Sequence, residues 1–273
     1  MRKFVRSLCA AAAVAATLSL PSATATAGVG DLLVAPTRLV LNGGRGSQVI
    51  LNNIGTEEAT YRISAELRRM TPDGKLVEVD MPNEVERMAQ EMVFFAPRRV
   101  TLPPNQPQAI RIAARAPQGL PDGEYRVHLL FRAVPKPRPV EEAAPAEGIS
   151  FKLIPVYGVT IPVIVRLGRL EVQAGIAGAR VEENGSNRSI LVDISRQGGR
   201  SVYGDVQITM AGQAEPIALA RGVAVYSELD SRTVRVPVRA DYTGPLSGAV
   251  HVSYRERAQD GGGLIASADT VLQ

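Results

Sequence analysis

Catalysis needs a nucleophile with its base, a bound metal, or two carboxylates in a shielded place, and this chain is poor in all three. Its two histidines, His128 and His251, stand in alternating stretches and in no ligand spacing such as H-E-x-x-H. Both read as polar residues on strand faces. No G-x-S-x-G, P-loop or G-x-G-x-x-G occurs. The acidic pairs Glu57-Glu58 and Glu141-Glu142 fall in loop-like stretches and read as solvated charge. The single cysteine, Cys9, sits in a segment expected to be removed, which leaves no thiol nucleophile and no thiolate site. The inventory points to a protein without an enzymatic step, without a metal and without a cofactor.

What the residues offer instead is a surface for holding another chain. Phe151 to Arg166 (FKLIPVYGVTIPVIVR) is apolar at both alternating sets of positions. Two readings fit: a central strand buried between two sheets, or an apolar edge whose unpaired backbone groups template a partner's strand. The preceding stretch Pro135 to Gly148 is rich in Pro, Ala and Glu and reads as a flexible loop. It would let the start of that strand adapt to a guest.

The elements that carry this segment are strands almost throughout. Tyr61, Ile63, Ala65 and Leu67 alternate with polar residues, as do Ile190, Val192 and Ile194, then Val234, Val236 and Val238, then Val250, Val252 and Tyr254. Asn42-Gly43, Asp73-Gly74, Asp122-Gly123, Asn184-Gly185 and Gly198-Gly199 break the runs as turns do. Asn83 to Met92 reads as a short helix or a charged loop. The fold class is all-β, two sandwiches, divided where the long apolar strand ends at Leu167-Gly168. The expected units are 28–167 and 168–273, each long enough for its own core.

Arg2, Lys3 and Arg6, the apolar run Leu8 to Leu20, and small residues ending at Ala25 or Ala27 give the pattern of a secretory signal over residues 1–27. The run is too short to span a bilayer. The expected destination is the periplasm. Of the formal charge of +4, these three cations leave with the signal. The mature chain is then near neutral, and nothing in it reads as a nucleic-acid footprint.

Several stretches together resemble the periplasmic pilus (fimbrial) chaperones, in order and over most of residues 32–168: VAPTRLVL, FFAPRRVTLPPNQPQAIRI, LPDGEYRVHLLFRAVP and YGVTIPVIVR. The resemblance implies two immunoglobulin-like sandwiches in a boomerang. The function it implies is stabilising pilus subunits by lending a strand and delivering them to an outer-membrane usher. It places a subunit's terminal carboxylate at Arg38, a task a guanidinium suits because it bonds a carboxylate at two points. The lending set is then Leu153, Tyr157, Val159 and Ile161. Glu124 and Arg166, with Asp260 as a third member, fall where the family keeps an interdomain ion-pair network. Where the family has a second cleft cation, a lysine, this chain has Pro162; Arg166 and Lys152 are the neighbouring cations. The exposed strand is also expected to support self-association. The competing readings are a pilus subunit or adhesin and a carbohydrate-binding sandwich. The first lacks a short alternating N-terminal extension for donation; the second lacks tryptophan and has few aromatics.

Overall fold

The computed structural model describes residues 31–43, 46–135, 156–185 and 187–273. The first sandwich is built from β1 (Leu32–Ala35), β2 (Leu39–Asn42), β3 (Ser47–Asn53), β4 (Ala59–Glu66), a hairpin of β5 (Arg68–Met70) and β6 (Leu76–Glu78), α1 (Glu84–Met92), β7 (Val93–Ala96), β8 (Arg99–Leu102), β9 (Pro107–Ala114), β10 (Gly123–Val134) and β11 (Gly158–Leu167). Its sheets run β1-β3-β9-β7 and β2-β11-β10-β4-β8. The second comprises β12 (Val172–Asn184), β13 (Asn187–Gly198), β14 (Val202–Met210), β15 (Ala218–Val225), β16 (Ser231–Pro237), β17 (Gly248–Arg255) and β18 (Leu264–Leu272). Its sheets run β12-β13-β16 and β15-β14-β17-β18.

The alternation read from the sequence is the alternation of burial. In β4, Ala59, Tyr61 and Ile63 point into the first core; in β17, Val250, Val252 and Tyr254 point into the second. This period of two gives each sheet one apolar face. The sheets change over between Leu167 and Val172, and Gly168 turns there at a φ of 74°, a left-handed conformation that suits a residue without Cβ.

The segment left open between helix and loop is a helix. Asn83 caps α1, its Oδ1 accepting from Glu86 N at 2.9 Å while Asn83 N donates to Glu86 Oε2 at 2.8 Å, a reciprocal capping box. Ala89 and Met92 carry its buried face. Glu86 also receives Arg69 through Nε at 2.6 Å and Nη2 at 2.7 Å, which fastens the β5–β6 hairpin to the helix.

The apolar strand satisfies both readings at once. The C-terminal half of β11 is central, between β10 and the parallel β2, which pairs with it from Val163↔Leu39 to Arg166↔Asn42. Its N-terminal half, Gly158 to Pro162, pairs only with β10. That half is an edge among the described residues.

Candidate functional site

The first strand is split between the two sheets, and the split creates the site. β1 pairs with β3; the chain then passes through Pro36, Thr37 and Arg38, after a cis Ala35-Pro36 peptide, and β2 joins β11 in the other sheet. The outer edge of β1 and the free half of β11 therefore face an open seam. A cavity of about 290 Å³ opens there, lined in part by Tyr61, Phe131, Tyr157 and Val159. Tyr61 and Phe131 belong to the core, so the seam leads into the interior of the first sandwich.

The backbone of β11 has a definite polarity at this edge. Ala133 N donates to Tyr157 O at 2.9 Å, so the polar groups of Tyr157, Val159 and Ile161 turn toward β10. Those of Gly158, Thr160 and Pro162 turn outward, because successive residues of a strand alternate. Pro162 thus lacks an N–H on the side where no ladder bond is made. It costs the sheet nothing, as edge prolines do not.

Of the expected lending residues, Leu153 lies outside the described residues, as does Lys152. Tyr157 is 59% exposed. Val159 is half-buried against the core. Ile161 corrects the expectation of an available side chain: it is 1% exposed and fills the sandwich's own core. It occupies the inward parity of a strand already packed at that depth.

Arg38 sits at the turn between β1 and β2, in a cleft between the two sandwiches. The cleft has a volume of about 780 Å³ and is lined by residues of both, among them Arg166, Arg200, Tyr203, Glu256 and Asp260. The Arg38 guanidinium lies 4.6 Å from the centroid of Tyr203 and 5.8 Å from that of Tyr226. Its Nη2 donates to Ser201 Oγ at 3.2 Å. Its Nη1 is buried without a partner. Burial disfavours its charged form and lowers its pKa, with Tyr226 and Glu124 opposing.

Two polar clusters join the sandwiches. In the first, Glu124 Oε2 accepts from Arg166 Nε at 3.0 Å, Ser201 N at 3.0 Å and Ser201 Oγ at 2.9 Å. Arg166 Nη2 donates to Ser201 O at 3.3 Å. Glu124 and Arg166 are brought together as expected; Asp260 is not part of the cluster. Asp260 lines the cleft, at the end of the short 3-10 turn Ala258–Asp260, and makes no ion pair among the described residues.

The second cluster was not foreseen. Glu228 accepts Arg126 Nη1 at 2.9 Å and Nη2 at 2.6 Å, and Met70 N at 2.9 Å. Burial would raise the Glu228 pKa, but the hydrogen bonds and charge of Arg126 carry it below the usual carboxylate range. The Arg126 guanidinium also lies 3.7 Å from the Tyr226 centroid. A small apolar cluster of Met70, Ile164, Ala224 and Tyr226 seals the contact.

His128, read as a polar residue on a strand face, stands on the outward face of β10 but is buried there. It is 1% exposed, edge-on to Tyr226 with centroids 6.4 Å apart, and neither ring nitrogen has a partner. Burial, then the charges of Arg126, Arg68 and Arg38, lower its pKa to about 3. His251 is on an exposed face as expected, 2.7 Å from Asp269. Among the described residues no three His, Cys, Asp or Glu side chains gather as a metal site would require, and no helix is long and apolar enough to cross a membrane.

No protein-family model matches the sequence, and no curated protein matches it. Among solved structures, the chain is similar to the E. coli chaperone DraB, at 16% identity and a TM-score of 0.48, covering 90% of this chain and 98% of that one. It is similar to the Pseudomonas aeruginosa CupB2 chaperone, at 16% and 0.47, covering 88% and 100%. A chain of the Salmonella enterica SafA pilin–SafB chaperone complex gives 18% and 0.44, covering 89% of this chain and 96% of that one.

Proposed function

We propose that this protein is a periplasmic chaperone that holds pilus subunits by lending them the free half of β11, without turnover. One observation carries the reading: Gly158 to Pro162 is a strand edge, unpaired on one side, beside a seam that opens into the apolar core. Such an edge is a hazard in a protein with no partner and a docking rail in one that completes another chain's sheet. Tyr157 and Val159 would supply side chains to the guest, joined by Leu153. Ile161 contributes only where the core opens to share it. Arg38 would receive the guest's terminal carboxylate; that it lines the cleft, with its buried Nη1 left without a partner, supports this reading.

The secretory pattern over residues 1–27 supports a periplasmic site of action, and an outer-membrane usher would be the recipient. Between guests, the same edge would be covered by self-association. The test is to isolate the tagged protein from its native periplasm and identify what accompanies it, beside an Arg38→Ala variant. A stoichiometric small β-rich subunit, reduced with the variant, is the expected result. Failure to find any such subunit while pilus proteins are being expressed overturns the reading.

A further inference from the structure

Tyr203 holds two guanidiniums, not one. Arg38, from the first sandwich, lies 4.6 Å from the ring centroid, and Arg257, from the second, lies 5.7 Å from it. Both line the cleft between the sandwiches. Each is steadied from behind. Arg38 is tied through Nη2 to Ser201, and Arg257 Nε lies 3.4 Å from Asp205 Oδ1, an oxygen that also accepts Gly222 N at 2.8 Å. What remains unused is one nitrogen of Arg38 and both terminal nitrogens of Arg257, which make no hydrogen bond among the described residues. The Arg38 nitrogen is buried, and a buried donor without an acceptor is rare because it forfeits a solvated bond; the Arg257 side chain is 31% exposed and meets solvent.

The other cleft cations are less suited. Arg166 is occupied by Glu124 and by Ser201 O. Arg200 lines the cleft, but no ring or carboxylate among the described residues fixes its guanidinium. A held guanidinium loses less rotamer freedom on binding than a free one.

We propose that Arg257 is the second cation of the anion site that begins at Arg38, so that one carboxylate is gripped by a guanidinium from each sandwich. This rests on the reading that the cleft takes a chain-terminal carboxylate. It assigns the place of the absent lysine to the second domain rather than to β11. A ligand held in this way bonds both sandwiches, so its binding also fixes their relative position.

The experiment titrates the full mature chain with acetate, using acetamide as the uncharged control. It follows the side-chain N–H signals of the arginines and the ring signals of Tyr203 by NMR. Acetate is expected to shift both sets of signals, and acetamide neither. Arg38→Gln and Arg257→Gln should each weaken acetate binding roughly tenfold or more, the scale of one charge-assisted hydrogen bond, while Arg200→Gln stays within about twofold, having removed no such bond. Should the glutamine variant fail to fold, Arg257→Lys keeps a charge beside Asp205 and is expected to weaken binding through loss of the planar fork.

Wild-type acetate affinity in folded variants of Arg257, or equal shifts with acetamide, overturns the inference. If subunits still co-purify in that event, the chaperone reading stands and only the second cation is misplaced. If acetate binds through both arginines and no subunit is ever captured, the two-arginine site stands and the chaperone reading fails.

Discussion

Glu124 and Ser201 stitch the two sandwiches together at one carboxylate oxygen: Glu124 Oε2 takes both the backbone N–H of Ser201, at 3.0 Å, and its hydroxyl, at 2.9 Å. Arg166 closes the same oxygen from β11. The Glu124 side chain is fully shielded, at 0% exposed, and Arg166 is 20% exposed. Removing one member of a buried pair strands the other's charge. Glu124→Ala should therefore lower unfolding stability by about 3 kcal/mol, and Ser201→Ala, which deletes one hydroxyl, by about 1 kcal/mol. Urea unfolding of both variants measures this; equal small losses would show that the pair contributes little.

His128 should give the protein an acid-side weakness. Its folded pKa is depressed to about 3, so the unfolded chain binds a proton near pH 6.5 that the folded chain refuses. Stability is full above that pH and falls as pH drops toward the folded value, at about 1.4 kcal/mol per pH unit. Glu228, whose folded pKa is lowered, contributes stability present above about pH 4.5, its ordinary value, and lost below it. The interval from pH 6.5 to 5 therefore isolates the histidine, and should cost about 2 kcal/mol there. His128→Phe should flatten the profile in that interval. A wild-type slope that survives the substitution assigns the effect to another group.

Ile161 and Tyr157 share a strand face but not a fate. Ile161→Ala empties core volume and should destabilise by about 3 kcal/mol. Tyr157→Ala removes an exposed ring and should change stability by less than about 0.5 kcal/mol, yet reduce subunit capture. Thermal or urea melts alongside co-purification separate the two roles. A Tyr157→Ala protein that is stable and captures normally removes Tyr157 from the lending set.

Backbone polarity gives a sharper contrast. The N–H of Thr160 turns away from β10 and that of Val159 turns toward it. Thr160→Pro should leave the β10 ladder intact and abolish strand pairing with a guest, whereas Val159→Pro breaks a ladder bond and should destabilise the sandwich by about 3 kcal/mol, as proline does where it removes a hydrogen bond. Stability and capture measured on both variants decide it. Undiminished capture by Thr160→Pro would mean that the guest does not pair at this edge.

Most of the fold was legible because alternation and turn residues are local. Tyr61, Ile63, Val250 and Val252 needed no partner outside their own sandwich to reveal which way they point. The double apolar pattern of β11 was legible too, but not its division. Only the docking of β2 from Val163 onward separates a buried half from a free one. The burial of His128 was hidden for a related reason. It stands on the outward parity of β10, where alternation means solvent, and only Tyr226 of the second sandwich turns that face into an interface. Glu228, Ser201, Tyr203 and Arg257 carry no motif; they matter through contact with residues 54 to 165 positions away in the sequence. Asp260 shows the converse, a charge assigned by resemblance to a cluster that it does not join.

The junction of Pro162 with β2 sets a terminus. Any visiting strand can bond the outward groups at Gly158 and Thr160, and then meets Pro162, a residue with no N–H, beside a place already taken by Leu39. From Gly158 to that stop, the rail within the described residues is about 15 Å long at the rise of an extended strand. The edge is therefore a gauge with a fixed zero. A guest cannot slide past it, so the depth to which each of its side chains enters the seam is decided by how many residues separate its own end from that stop.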